Sequence, residues 1–292
     1  MRDIRLRMKS IRQTLQITSA MKLISTAKLR RARIQLNQTE PYFTRIRETM
    51  KDIFRHSEEL HEDFFKLHNL KGKQPKRAYL IITSDKGLAG GFNHNIINLA
   101  ESAFLPDGIN YVLLLGTIGS RYFLRKNIPI LETFKFTKGI PTVYEAKDIS
   151  DYVLTQYNLE LIDEFYIVFT HMYSSVKLVP EVLKVLPLDE KLFELETEPG
   201  KSNKTDSSMT YSPSPQAVLD ALIPKYLSGE VFGTIVENFA SEHSARMAAM
   251  DNATKNAQEM LDKLSLSYNR LRQSAITQEV TEIVAGAAAL NV

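Results

Sequence analysis

The chain has 292 residues, of which 43% are hydrophobic and 24% charged, and it contains no cysteine. That composition belongs to a folded protein of one large or two smaller domains, and it excludes disulfides, thiolate metal sites and cysteine nucleophiles. The net charge of +3 conceals a division: residues 1–47 carry twelve Lys and Arg against Asp3 and Glu40, a balance of +10, which leaves −7 on the remaining 245 residues. No apolar run reaches the ~18 residues needed to cross a bilayer, and Met1-Arg2-Asp3-Ile4 lacks the apolar core of a secretory signal.

Residues 1–71 contain a single helix breaker, Pro41. Ile4, Met8, Ile11, Leu15, Thr18, Lys22, Ser25, Leu29, Ala32 and Leu36 recur at alternating spacings of four and three, a heptad seam with polar members in its middle. Ile17, Ala20, Met21, Ile24 and Ala27 are expected to widen the apolar stripe. The pattern predicts a long amphipathic helix, bent or interrupted near Pro41.

The middle of the chain reads differently. Ala78–Thr83 is a short apolar run of buried-strand type, followed by a glycine-rich turn and a helical pattern through Ile96, Ile97, Leu99 and Ala100. Tyr111–Leu115 predicts a second strand, with a helix to Lys126; a helix over Ala146–Leu161 precedes a third strand, Phe165–Phe169. Buried strands alternating with helices predict a parallel α/β sheet. Residues 197–215 are polar and turn-rich, which predicts an exposed loop.

Between Gly233 and Gly286 lie 52 residues with neither Gly nor Pro. A second seam runs through Val236, Ala240, His243, Met247, Met250, Thr254, Ala257, Leu261, Leu264, Tyr268, Leu271 and Ala275, and then steps to Ile276, Val280, Ile283, Ala287 and Leu290. At ~1.5 Å per residue such a helix spans roughly 78 Å, more than a compact globule with a radius of gyration of ~19 Å accommodates. Two long amphipathic helices at opposite chain ends bury their stripes most simply against each other, as an antiparallel coiled coil. The expected segments are a helix in 1–71, an α/β domain in 72–215 and a helix in 216–292.

No catalytic constellation emerges, and no cofactor or metal site is expected. Ser84-Asp85-Lys86-Gly87-Leu88-Ala89-Gly90-Gly91 joins strand to helix, where backbone N–H groups can cradle a phosphate. It matches neither the dinucleotide fingerprint nor the P-loop, so a tight packing turn is the favoured reading. His56, His61, His68, His94, His171 and His243 lack metal-ligand spacing, and His243 falls on the C-terminal seam. The basic first helix suits a nucleic acid, an anionic membrane or an acidic protein surface. The long seam, and the absence of any aromatic among the Lys and Arg before Tyr42, favour a protein partner. Residues 283–292 carry no charged side chain, so an apolar socket on a partner is expected around that end.

Three segments carry a resemblance. Residues 11–32 (IRQTLQITSAMKLISTAKLRRA), 241–254 (SEHSARMAAMDNAT) and 268–289 (YNRLRQSAITQEVTEIVAGAAA) closely resemble the two terminal helices of the gamma subunit of F-type ATP synthases. The Ser84–Gly91 turn is similar to that family's central glycine-rich segment, with Ala89 where many members have Cys. The resemblance implies an α+α/β fold, a long antiparallel coiled coil of the terminal helices plus a Rossmann-like α/β domain. It implies a non-catalytic central rotor shaft inside a hexamer of α and β subunits, with a foot beside the epsilon subunit on the membrane-embedded c-ring. Ion flow would turn ring and shaft, and the catalytic β subunits would change conformation in sequence. The location implied is peripheral, on the cytoplasmic face of a bacterial cell membrane.

By the same resemblance, Met21, Lys22, Arg272, Gln273, Thr277 and Leu290 would contact the α/β head, and the basic belt Lys28, Arg30, Arg31 and Arg33 would face its acidic surface. Tyr211 and Ser212 would lie at the c-ring contact, where many relatives carry an acidic residue in place of Ser212. The cysteine-bearing insertion of the plant chloroplast form is absent. The competing readings are an α/β enzyme using the Gly87–Gly91 turn and a basic coiled coil that binds nucleic acid.

Overall fold

The computed structural model describes residues 2–56, 74–106, 108–126, 128–135, 139–188 and 211–290. The chain forms two compact units, one from Met1–Ala27 with Arg246–Val292 and the other from Lys28–Ala245. Helices α1 (Arg2–His56) and α5 (Pro215–Leu290) each supply residues to both.

The larger unit is built on a five-stranded sheet. Its strands are β1 (Arg77–Ile82), β2 (Asn110–Leu115), β3 (Ile130–Phe134), β4 (Glu164–Met172) and β5 (Leu178–Leu186), in the spatial order β3-β2-β1-β4-β5. The first four are parallel neighbours, whereas β5 pairs antiparallel with β4. β1 reads as an unbroken apolar run because both of its faces are covered. Ala78, Leu80 and Ile82 enter one core, and Tyr79 and Ile81 enter the other. Helices α2 (Phe92–Ala103) and α3 (Thr117–Phe123) close the second core through Ile96, Ile97 and Phe123. The first core is closed by α4 (Val143–Asn158), which presents Ile149 and Val153, together with Met50 and Ile53 of α1 and Phe232 and Val236 of α5.

The sheet has two more strands than the sequence pattern predicts, and the last makes it mixed. β3 is an edge strand with no fully buried residue, so it lacks the apolar run that marks β1. β5 contains Pro180, which a strand accommodates only where one side needs no ladder. The β1–β4 ladder ends at Ile81–Val168. Two residues further, α5 takes over the β4 backbone: Thr170 N donates to Asn238 Oδ1 at 2.9 Å, and Ser241 Oγ donates to Thr170 O at 2.9 Å.

Both long helices run through their breakers. α1 continues past Pro41, which is exposed, so the expected interruption does not occur. α5 starts at Pro215 and includes Pro224, Gly229 and Gly233, ahead of the Gly-free stretch that signals it in the sequence. Gly229 has a packing reason: a Cβ there would lie 2.3 Å from Phe43 Cδ1 of α1. Glycine lets the aromatic ring rest on the helix backbone, which offsets its cost of roughly 1 kcal/mol relative to alanine in a helix interior.

In the smaller unit, α1 and α5 are antiparallel. Each step forward in α1 meets an equal step back in α5. Arg5 Nη2 donates to Tyr268 OH at 2.6 Å, Thr254 Oγ1 to Thr18 Oγ1 at 2.8 Å, and Thr26 Oγ1 lies 3.4 Å from Met247 S. Every α1 seam residue from Ile4 to Ser25 is half-buried or buried, and Met250 and Ala257 are buried opposite. The flanking residues expected to widen the stripe mostly face outward, with Ile17 60% and Ile24 57% exposed.

Candidate functional site

The glycine-rich turn after β1 occupies the position where open α/β sheets bind ligands, at the carboxyl ends of strands that diverge in topology. Here the chain uses that position for itself. Asp85 Oδ1 accepts from Thr117 N at 3.0 Å and from Thr117 Oγ1 at 2.9 Å, so a carboxylate already sits at the amino end of α3. Thr83 Oγ1 accepts from Gly119 N at 2.9 Å, and Ser84 N donates to Asn93 Oδ1 at 2.9 Å. Gly116, at φ 98°, is required here, because a Cβ would lie 2.1 Å from Thr83 O. Ala89 is buried. The turn locks helices to sheet, as the packing reading expects.

The histidines are equally structural where described. His171 Nδ1 lies 2.8 Å from Glu237 Oε1, His94 Nε2 lies 3.0 Å from Asn98 Nδ2, and His243 is buried with its ring centroid 4.4 Å from that of Phe239. The side chain of His56, and His61 and His68 altogether, lie outside the described residues. Among the described residues, no group of three or more His, Cys, Asp or Glu is placed to hold a metal ion.

The residues expected to contact partners fall on both units. In the smaller one, Lys22 Nζ lies 2.5 Å from Asp251 Oδ1, and Lys255 Nζ lies 2.9 Å from Oδ2. These two cations, Lys22 first, hold the Asp251 carboxyl down at about 2. Met21 is half-buried beside them, while Leu23 is 71% exposed. Arg272, Gln273 and Thr277 are exposed on α5, and among the described residues the Arg272 guanidinium makes no hydrogen bond or ion pair within the chain. The α1–α5 register brings Arg2, where α1 starts, level with Leu271, and further along α5 Ile276, Val280 and Ile283 are exposed. The side chain of Leu290, with residues 291 and 292, lies outside the described residues, as do residues 189–210, which include most of the expected loop.

In the larger unit, Lys28 lies over the Phe239 ring, 5.7 Å from its centroid, and Arg33 Nη2 donates to Ser175 Oγ at 3.0 Å. Arg30 and Arg31 point to solvent. Tyr211 OH donates to Asp52 Oδ2 at 2.6 Å, and burial, then that carboxylate, push the phenol up to about 12. Ser212 is exposed. The belt Lys28–Arg33 therefore forms one continuous stretch of a helix, while Tyr211 is tied to the far end of α1. Sequence reasoning missed Asp251, Ser175 and Asp52, the internal partners of Lys22, Arg33 and Tyr211. For Asp251 a signal exists: a lysine on a buried seam requires a carboxylate on the opposing helix.

Comparison with known proteins follows this geometry. A family model described as ATP synthase matches residues 1–290. The ATP synthase gamma chain of Ruminiclostridium cellulolyticum is 48% identical over 100% of this chain and 99% of its own, and that of Acetivibrio thermocellus is 44% identical over 99% and 98%. The chain belongs to the ATP synthase gamma-chain family. A gamma chain described as sodium ion specific, from Acetobacterium woodii, is 39% identical over 99% of this chain and 98% of its own. Among solved structures, the rotor of the Euglena gracilis mitochondrial ATP synthase matches with TM-score 0.64 at 18% identity over 94% of this chain and 98% of its own. A second Euglena structure, of OSCP, F1 and c-ring, matches with TM-score 0.66 at 19% identity over 99% and 94%. The gamma-chain fold is thus shared far below the identity at which the sequences align closely.

Proposed function

We infer that the chain is the central rotor shaft of an F-type ATP synthase, coupling ion-driven rotation of the membrane c-ring to conformational cycling of the catalytic β subunits. The observation that carries this is likeness to gamma chains along the length of both, 48% identity over 100% of this chain and 99% of the relative. The paired helices of the smaller unit supply the physics, since two helices locked in register resist twisting together. The subunit is non-catalytic. Nucleotide chemistry belongs to β, consistent with an Asp85 carboxylate at the one place where this sheet topology would seat a phosphate.

The partners are α and β around the shaft, and epsilon with the c-ring at the foot. We assign the head contacts to Met21, Lys22, Lys28, Arg30, Arg31, Arg33, Arg272, Gln273, Thr277 and Leu290, and the foot contact to Tyr211 and Ser212. Exposure of Arg272, Arg30 and Arg31 supports this assignment, as does the apolar strip Ile17, Leu23 and Ile24 left outside the seam. Lys22 and Arg33 have internal partners, so their contacts with the head would be made by groups already held in place. No helix among the described residues is long and apolar enough to cross a membrane. The chain reaches the membrane through the complex, and we place it on the cytoplasmic face of a bacterial cell membrane. Affinity-tagged chain expressed in its native host is expected to bring down α, β and epsilon together. Recovery without them would overturn the assignment.

A further inference from the structure

The larger unit contains a cavity of about 250 Å³ between α1, α5 and the β4–β5 edge. Its apolar side is formed by Leu36, Phe43, Phe169, Leu183 and Phe232. Phe232 is fully buried, and the Phe43 and Phe232 rings stand 6.1 Å apart at 40°, giving a firm aromatic wall. The α5 side is bare of side chains at Gly229 and Gly233. Gly229 is required by its contact with Phe43, but Gly233 is not so constrained: no atom lies within 4 Å of where its Cβ would stand. That space belongs to the cavity.

The polar lining is unbalanced. Three carboxylates, Glu40, Glu230 and Glu237, face one cation, Arg47. Arg47 Nη2 is engaged with Glu230 Oε1 at 2.7 Å. Glu237 Oε1 is held at one end by Met172 N at 3.1 Å and by His171 Nδ1 at 2.8 Å. Among the described residues, Glu40 has no hydrogen bond or ion pair. Aromatic faces and carboxylates attract the same species, an organic cation, whereas an anion would meet an excess of like charge.

We propose that this cavity binds a small arylalkyl ammonium compound, with its hydrocarbon body against Phe43 and Phe232 and its ammonium group at Glu40. An apolar body is required to fill the aromatic side, and a single positive charge matches the one carboxylate without an internal partner. A ring on a short aliphatic chain suits the volume. Binding here is independent of whether the chain turns within a motor.

The test uses the purified full chain and 2-phenylethylammonium, followed by saturation-transfer NMR, with 2-phenylethanol as the uncharged isostere. The ammonium compound is expected to bind about threefold more tightly than the alcohol, the ratio for one ion pair at an exposed carboxylate. Gly233→Leu fills the cavity without clash at Cβ and should abolish saturation transfer while the circular dichroism spectrum is retained. Glu40→Gln, at an exposed position that leaves the fold intact, should reduce affinity for the ammonium compound about threefold and leave that for the alcohol unchanged. Absence of binding to the wild-type chain, equal binding of compound and isostere, or unaltered affinity in Glu40→Gln would each overturn the proposal.

Discussion

Lys22 of α1 reaches across the paired helices to Asp251 of α5, with Nζ 2.5 Å from Oδ1, and Lys255 approaches the other oxygen from one turn along the same helix. A layer above, the Thr18 and Thr254 hydroxyls bond to each other. These polar layers, with the buried Ser25, interrupt the apolar seam. Because the ion pair is partly exposed, it contributes little to stability; its stronger effect is on register, since sliding either helix by one heptad would leave Lys22 on the seam without its carboxylate.

The first prediction concerns acid. Asp251 has its carboxyl lowered to about 2 by Lys22 and then Lys255. A depressed carboxyl contributes stability that is present above its unfolded value, near 4, and is lost as pH falls through the folded value. Thermal melts followed by circular dichroism should show the wild type losing stability between about pH 4 and about pH 2 more steeply than Asp251→Asn. Parallel curves would contradict the assigned shift.

Gly229 and Phe43 give a second prediction. Gly229→Ala gains roughly 1 kcal/mol of helix propensity, but places its Cβ 2.3 Å from the Phe43 ring, and such overpacking costs about 1–3 kcal/mol. The net effect expected in urea unfolding is destabilisation, partly relieved in the double variant with Phe43→Leu. Additive effects in the two single variants would show that the ring is not the obstacle.

Asp85 gives a third. Removing the carboxylate that accepts from Thr117 N and Oγ1 takes away the cap of α3, worth about 1 kcal/mol. Asp85→Ala should therefore unfold at lower urea concentration, and Asp85→Asn, which keeps an acceptor, should lie between it and the wild type.

The fourth concerns coupling. Arg272 and Ile283 are exposed and make no internal polar or core contact among the described residues. Arg272→Ala and Ile283→Ser should leave the isolated chain within about 0.5 kcal/mol of wild type, yet lower ATPase activity in the reconstituted complex. A folding defect in Arg272→Ala, read by circular dichroism, would argue against a contact role.

The legibility of this fold followed the strength of each local signal. The heptad seam from Ile4 to Ser25 is visible because burial on a helix imposes its own period, and the same holds for β1, whose apolar run reflects coverage on both faces. β3 and β5 were silent because an edge strand exposes one margin, and Pro180 in β5 reads as a breaker unless the free edge is known. Gly229 and Pro224 concealed the first turns of α5, although tertiary packing against Phe43 explains the glycine. Ile17 and Ile24 are apolar yet exposed, so the apolar pattern alone overstated the width of the buried stripe. Of the internal tethers of Lys22, Arg33 and Tyr211, only Asp251 had a signal, the lysine on the seam; Ser175 and Asp52 are distant in sequence from Arg33 and Tyr211 and carried none.

The register of the smaller unit has a mechanical consequence. α1 begins level with Leu271, whereas α5 continues to Leu290. Up to that level, a couple applied along the axis is shared by two helices cross-linked by side-chain hydrogen bonds. Over that span, twisting one helix must also move the other, because the Arg5–Tyr268 and Thr18–Thr254 bonds tie the two at separate levels.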